Sequence, residues 1–189
     1  MGVSVLLMSV SVDGFIAGPN DVPGNPGGDG FMRLHDWYQR ADGSFGRPDG
    51  PAGAVWDEMH DTGAVFVGRR TAEQVDYYGG THHGVPLFVL TRREPDPQFP
   101  QVHFVSDVAE GMAAAKAAAG ERDVLVHGAE AARTALEAGV LDELQIDQVP
   151  VLLGAGRRLF DVLPERIELE IARVIDTPAA THVRYRVVR

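Results

Sequence analysis

Residues 123–160 read DVLVHGAEAARTALEAGVLDELQIDQVPVLLGAGRRLF, and the fold turns on this stretch. The apolar run 124–127 has the length and composition of a buried strand, and Gly128 breaks it. Residues 129–138 form a helix-like segment that Gly139 closes, and a second apolar run, 144–153, ends at the Gly154-Ala155-Gly156 turn. A helix between two strands implies a crossover and parallel neighbours in one sheet. The strand-to-helix turn at Gly128 leaves backbone N–H groups unpaired at the positive end of a helix dipole, so a phosphate-bearing nucleotide is expected there. Gly154-x-Gly156 follows the second strand and lacks a third glycine, so it is not a dinucleotide fingerprint; it is expected to shape one end of a pocket.

Working outward, the pattern repeats. Residues 3–12 read as a buried first strand ending at Asp13-Gly14, and residues 51–61 suit an amphipathic helix. Residues 64–67 form a short strand that runs into Gly68-Arg69-Arg70-Thr71 and a helix-like AEQVDYY; residues 86–90 form another that runs into Thr91-Arg92-Arg93. Guanidinium pairs just after a strand bind phosphate bidentately, or they pair with acidic neighbours such as Glu73. After a strand at 102–105, Asp107 with Glu110 makes a capping-box pattern before an alanine-rich helix that stops at Gly120. Residues 167–174 and 182–188 read as antiparallel strands around Asp176-Thr177-Pro178. The expected architecture is α/β with three layers: a mainly parallel central sheet, helices on both faces and an antiparallel C-terminal hairpin. Residues 1–189 form one domain, with a Gly/Pro-rich insertion at about 18–53. Its aromatic centre, FMRLHDWYQR, either places Trp37 over a pocket or tacks a surface loop to the body.

The chain has 17 Lys and Arg against 27 Asp and Glu, a net charge of −10, which disfavours nucleic acid and anionic membranes as partners. Without cysteine there is no disulfide, thiolate metal site or cysteine nucleophile, and a reducing cytoplasm fits. The opening apolar run is interrupted by Ser4, Ser9 and Ser11 and lacks a basic start, so neither a signal peptide nor a spanning helix is expected. Seven histidines include the His82-His83 doublet, but none has the spacing of a zinc site, so no metal is expected.

The segments SVSVDGFIAG (9–18), VFVGRRTAE (65–73), LFVLTR (87–92), VLVHGA (124–129), the block 141–160 and THVRYRV (181–187) together resemble the dihydrofolate reductase-like reductases. The match is to the bacterial branch that includes the reductase domain of riboflavin biosynthesis. The resemblance implies a reductase that uses NADPH on a small heterocycle, a pterin or a riboflavin-pathway pyrimidine. It places cofactor phosphates on Gly68, Arg69, Arg70 and Thr71, an adenosine 2′-phosphate at Thr91 and Arg92, and the pyrophosphate at Gly128, Ala129 and Glu130. Ile16 and Ala17 match the loop that covers the nicotinamide. From its place at a strand end His127 either touches that ring or packs, and Gly154 is expected to shape that end of the pocket. The chain departs from the family in having Ala129 after Gly128, and no carboxylate a helical turn before Trp56. A homodimer is expected from the same likeness.

Reduction needs a proton as well as a hydride. Asp13 and Asp57 are the candidate catalytic acids, with Asp36 as a further carboxylate, and Trp37, Trp56 and Val151 are candidate substrate contacts. Asp13 read blandly is an Asp-Gly turn, and Asp57 a solvated helix carboxylate. A non-catalytic nucleotide-binding protein that kept the fold and lost the acid is the alternative.

Overall fold

The computed structural model describes residues 2–22, 24–40 and 42–189. In chain order the strands are β1 (Ser4–Ser11), β2 (Phe15–Ala17), β3 (Ala64–Gly68), β4 (Thr81–His82), β5 (Val85–Leu90), β6 (His103–Val105), β7 (Val124–His127), β8 (Glu143–Val149), β9 (Arg157–Arg158), β10 (Leu169–Asp176) and β11 (Thr181–Val187). The helices are α1 (Gly53–His60), α2 (Arg69–Gln74), α3 (Val108–Ala119) and α4 (Ala129–Glu137). Strands β6, β5, β3, β7, β1 and β8 lie side by side and parallel; β11 and then β10 extend the sheet antiparallel beyond β8. The C-terminal hairpin is therefore stitched on through its second strand, and β10 is the open edge.

Strand alternation divides the core. Leu6, Phe66, Phe88, Val124 and Val126 face α3 and α4, packing on Met112, Ala115, Ala132 and Ala135. Leu7, Val65, Val67, Leu87 and Leu125 face the other way, onto Val55 of α1, Ala72 of α2 and the insertion's Leu34 and Trp37. These are the three layers expected, with helices on both faces. The alanines of α3 and α4 let both helices lie close to the strands. Asp107 caps α3, its Oδ1 accepting from the N–H groups of Ala109 and Glu110 at 2.9 Å each.

Several boundaries move. The strand expected over 144–153 ends at Val149, because Pro150 has no N–H to donate. The chain then turns so that Arg157–Arg158 pairs with Phe15–Ala17 in a small separate ribbon that short-range pattern did not reveal. The helix expected over 51–61 begins as a 3₁₀ turn, Gly50–Ala52. The arginine pair after β3 lies inside the first turn of α2, and the helix-like AEQVDYY runs out at Gln74. Asp76, Tyr77, Tyr78 and Gly79 follow with φ of 49°, 50°, 52° and 64°, a left-handed turn. Each non-glycine residue there costs about 1–2 kcal/mol. The burial of Tyr77, whose ring lies 4.5 Å from that of Phe99, offsets part of it.

Within the insertion, Phe31–Tyr38 forms a 3₁₀ helix whose Trp37 is buried, its Nε1 donating to Ser9 Oγ at 2.9 Å. Pro23 and Ala41 of the insertion lie outside the described residues. Among the described residues no helix is long and apolar enough to cross a membrane.

Candidate functional site

The C-terminal ends of β1, β3 and β7 open into a cavity of about 450 Å³. Ligands collect at such strand ends in open α/β sheets because the βα turns expose backbone groups there. Leu7, Met8 and Ser9 of β1 contribute to its walls, and the β3–α2 and β7–α4 turns bring Gly68, Thr71 and Gly128 to it.

At the β7–α4 turn, Gly128 has φ +88°, and a Cβ there would lie 2.4 Å from Thr71 Oγ1. The two βα turns thus touch, which only a glycine permits. No side chain caps α4, so first-turn N–H groups are free for an anion, with the Glu130 carboxylate beside them. Arg70 and Glu130 also border a second, polar hollow walled by Arg69, Thr91, Arg92, Arg93 and Arg133. Most of these guanidiniums have a carboxylate already: Arg69 and Arg93 meet Glu73 at 2.9 Å, Arg70 meets Asp21 at 2.8 Å, and Arg133 meets Glu137 at 2.7 Å. Arg92 is exposed and, among the described residues, pairs with no carboxylate. The Arg93–Glu73 and Arg133–Glu137 pairs are exposed enough to be weak, so an arriving phosphate exchanges for them at little cost, whereas Arg69 and Asp21 are mostly covered. Free helix N–H groups leading to an arginine hollow suit a phosphate-bearing ligand.

The residues expected from sequence are not all brought together. Ile16, Ala17, Gly68, Arg70, Thr71, His127, Gly128, Ala129, Glu130 and Trp56 line the cavity; Arg69, Thr91 and Arg92 line the adjoining hollow. Asp13 lines neither. Its Oδ1 accepts from the Ser11 hydroxyl (2.6 Å) and the Leu153 N–H (3.1 Å), its Oδ2 from the Gly154 N–H (2.7 Å). The Ser11 hydroxyl foremost, with those N–H groups, holds the carboxyl down to about 2. Asp13 ties the Gly154 turn to the end of β1. Asp57 points away on α1 in a bidentate pair with Arg47, which keeps its carboxyl below the usual range. Asp36 pairs with Arg33 at 3.2 Å. Trp37 belongs to the core, and neither Val151, packed beneath, nor Gly154 lines the cavity. Tyr38 and Trp56 stand at the far end of the cavity with Phe45 and Tyr78.

Sequence reasoning missed the histidines of that end. His60 stacks on Trp56 at 4.2 Å between ring centres, His35 meets Tyr38 edge-on at 5.5 Å, and His82 meets Tyr78 edge-on at 4.4 Å. His82 is presented by a hairpin whose next residue, His83, has φ +38°, and Tyr78 by the left-handed turn. Strained backbone clustered on one wall of a cavity is a feature of functional sites. Burial lowers His82 to about 3 and His127 to about 4, and lifts Tyr78 to about 12. The Gly80-x-x-x-Gly84 frame around the doublet is the sequence signal that could have found it.

A mainly parallel sheet covered on both faces, with an antiparallel C-terminal hairpin at one edge and the cavity at a glycine-to-helix turn, fits the dihydrofolate reductase-like fold expected from the sequence. The family described as RibD C-terminal domain matches residues 5–183, and the chain belongs to that family, one of reductases of the riboflavin-pathway type. The crystal structure of a protein described as "Putative riboflavin biosynthesis protein" from Shewanella sp. PV-4 superposes with a TM-score of 0.75, covering 99% of each chain at 21% identity. At that identity the likeness is one of fold. No curated protein matches the chain.

Proposed function

We propose that the protein is an NADPH-dependent reductase that transfers a hydride to a small flat heterocycle of the pterin or pyrimidine kind. The observation that carries this reading is continuity: Arg70 and Glu130 border both the aromatic cavity and the arginine hollow, so one elongated ligand can span them. The first-turn N–H groups of α4 and the Thr71 hydroxyl hold the pyrophosphate, and Arg92 with Thr91 holds the 2′-phosphate. NADPH supplies the hydride. Trp56 and Tyr78 flank the flat ring of the substrate, and Ile16 and Ala17 exclude water. The cavity's carboxylates, Asp21 and Glu130, belong to its polar end, so the proton reaches the aromatic end from water.

Because neither Asp13 nor Asp57 reaches the cavity, a nucleotide-binding protein without turnover is the second reading. Absorbance of the reduced cofactor separates the two in a screen of heterocycles. Turnover supports the reductase, saturable NADPH binding without turnover on any of them supports the second reading, and no NADPH binding removes both. The edge strand β10 exposes Ile171 (66%) and Val174 (53%), the surface through which a homodimer would form.

A further inference from the structure

The histidines lining the aromatic end each have one ring nitrogen committed. His35 Nδ1 lies 3.1 Å from the Phe31 carbonyl and His60 Nδ1 2.8 Å from the Trp56 carbonyl. A carbonyl oxygen has no proton to give, so Nδ1 carries the hydrogen in both rings, and the neutral ring presents a lone pair at Nε2. His82 reaches the same state through its neighbour. His83 Nε2 lies 3.3 Å from the Thr62 carbonyl and 3.0 Å from the Thr62 hydroxyl, which gives its own proton to the Met59 carbonyl at 2.8 Å. His83 therefore donates at Nε2 and, when neutral, accepts at Nδ1. The bond between the two Nδ1 atoms takes its proton from His82, which leaves His82 Nε2 unprotonated.

That nitrogen has no hydrogen-bond partner among the described residues, is not sealed in the interior, and belongs to a ring on the cavity wall. Protonation of the His82 ring is opposed by burial first, then by His127 at the end of β7, by His83 on its own hairpin and by His60 on α1, with Tyr78 packed against the ring. His83 is lowered by burial first, with His60 and Arg122 acting in the same direction and its bond to the Thr62 carbonyl opposing them. Burial also lowers the pKa of His35.

We propose that the aromatic end of the cavity reads ring N–H groups: His82 accepts a hydrogen bond from an N–H of the heterocycle, His83 is the positioning residue that fixes the His82 tautomer, and His35 and His60 are flanking acceptors. The assignment rests on the cavity being the substrate site of the reductase, and it names the edge of the substrate that enters. A heterocycle alkylated at those nitrogens sets a methyl group against the lone pair and leaves it unpaired, which is how a polar site rejects an analogue.

Two measurements test it. In ¹⁵N spectra of the histidine-labelled chain at pH 7, His82 shows a protonated Nδ1 and an unprotonated Nε2, and His83 the reverse. A His82 protonated at Nε2 overturns the proposal. By calorimetry, 5,6-diaminouracil binds at least about tenfold more tightly than 5,6-diamino-1,3-dimethyluracil, and His82→Phe brings the ratio to within about threefold. A purely steric discrimination keeps its ratio in His82→Phe; that result, equal binding by the wild type, or binding of neither pyrimidine overturns the proposal. N–H selectivity without NADPH binding would reject the reductase reading and leave the acceptor site standing. Turnover without N–H selectivity would do the reverse.

Discussion

Gly128 is the residue on which the phosphate end depends most. Its φ of +88° and the Thr71 hydroxyl 2.4 Å from where a Cβ would sit make Gly128→Ala strained twice over. The substitution should cost about 1–3 kcal/mol of stability, read as a lowered melting temperature. Asp13 carries a different prediction. Its carboxyl, which titrates at 3.8 in an unfolded chain, is held at about 2 in the fold, so the ionised group stabilises above pH 3.8 and that contribution fades as pH falls toward 2. Asp13→Asn should lower the melting temperature at pH 7 and match the wild type near pH 2, while turnover, if Asp13 only braces the Gly154 turn, changes little at neutral pH. The glycine-to-helix turn was legible in sequence because its chemistry is local. The Asp13 and Asp57 assignments fell elsewhere because a carboxylate's partner, Ser11 or Arg47, is visible only once the chain is folded.

The parallel strands and α3 and α4 could be read from apolar runs, glycines and the Asp107 cap. The β2–β9 ribbon could not, since its strands are short and far apart in sequence. Nor could the left-handed turn at residues 76–79, where backbone sterics oppose Asp76, Tyr77 and Tyr78 and only tertiary packing holds them. The histidine end was missed for the same reason, being assembled from the insertion, α1 and a hairpin. Across the cavity's polar end, Asp21 fastens the insertion: its carboxylate accepts from the Gly27 N–H at 3.0 Å and from Arg70 at 2.8 Å, and it bonds Gln74. Burial acts to raise the Asp21 carboxyl, and Arg70 with the Gly27 N–H outweighs it. In Asp21→Ala the Gly27 amide should exchange with deuterium at least about tenfold faster while the amides of β1 and β7 keep their protection. Unchanged exchange at Gly27 would show that the Asp21 carboxylate does not hold the insertion.

At the scale of the molecule, the sheet separates two cores, and its strand ends and the helices on both sides meet at one cavity. The exposed apolar side chains of β10 belong to the same architecture: Ile171→Glu should leave the melting temperature within about 2 °C of the wild type, since the side chain is exposed, and abolish any dimer seen by light scattering. The central claim is that the arginine hollow and the aromatic cavity form one NADPH-dependent site. The most direct test is calorimetric titration of the full chain with NADPH and NADH, repeated on Arg92→Ala. The account predicts saturable NADPH binding, at least about tenfold tighter than NADH, with that preference lost in Arg92→Ala. Absence of NADPH binding, or equal affinity for the two cofactors in the wild type, would contradict it.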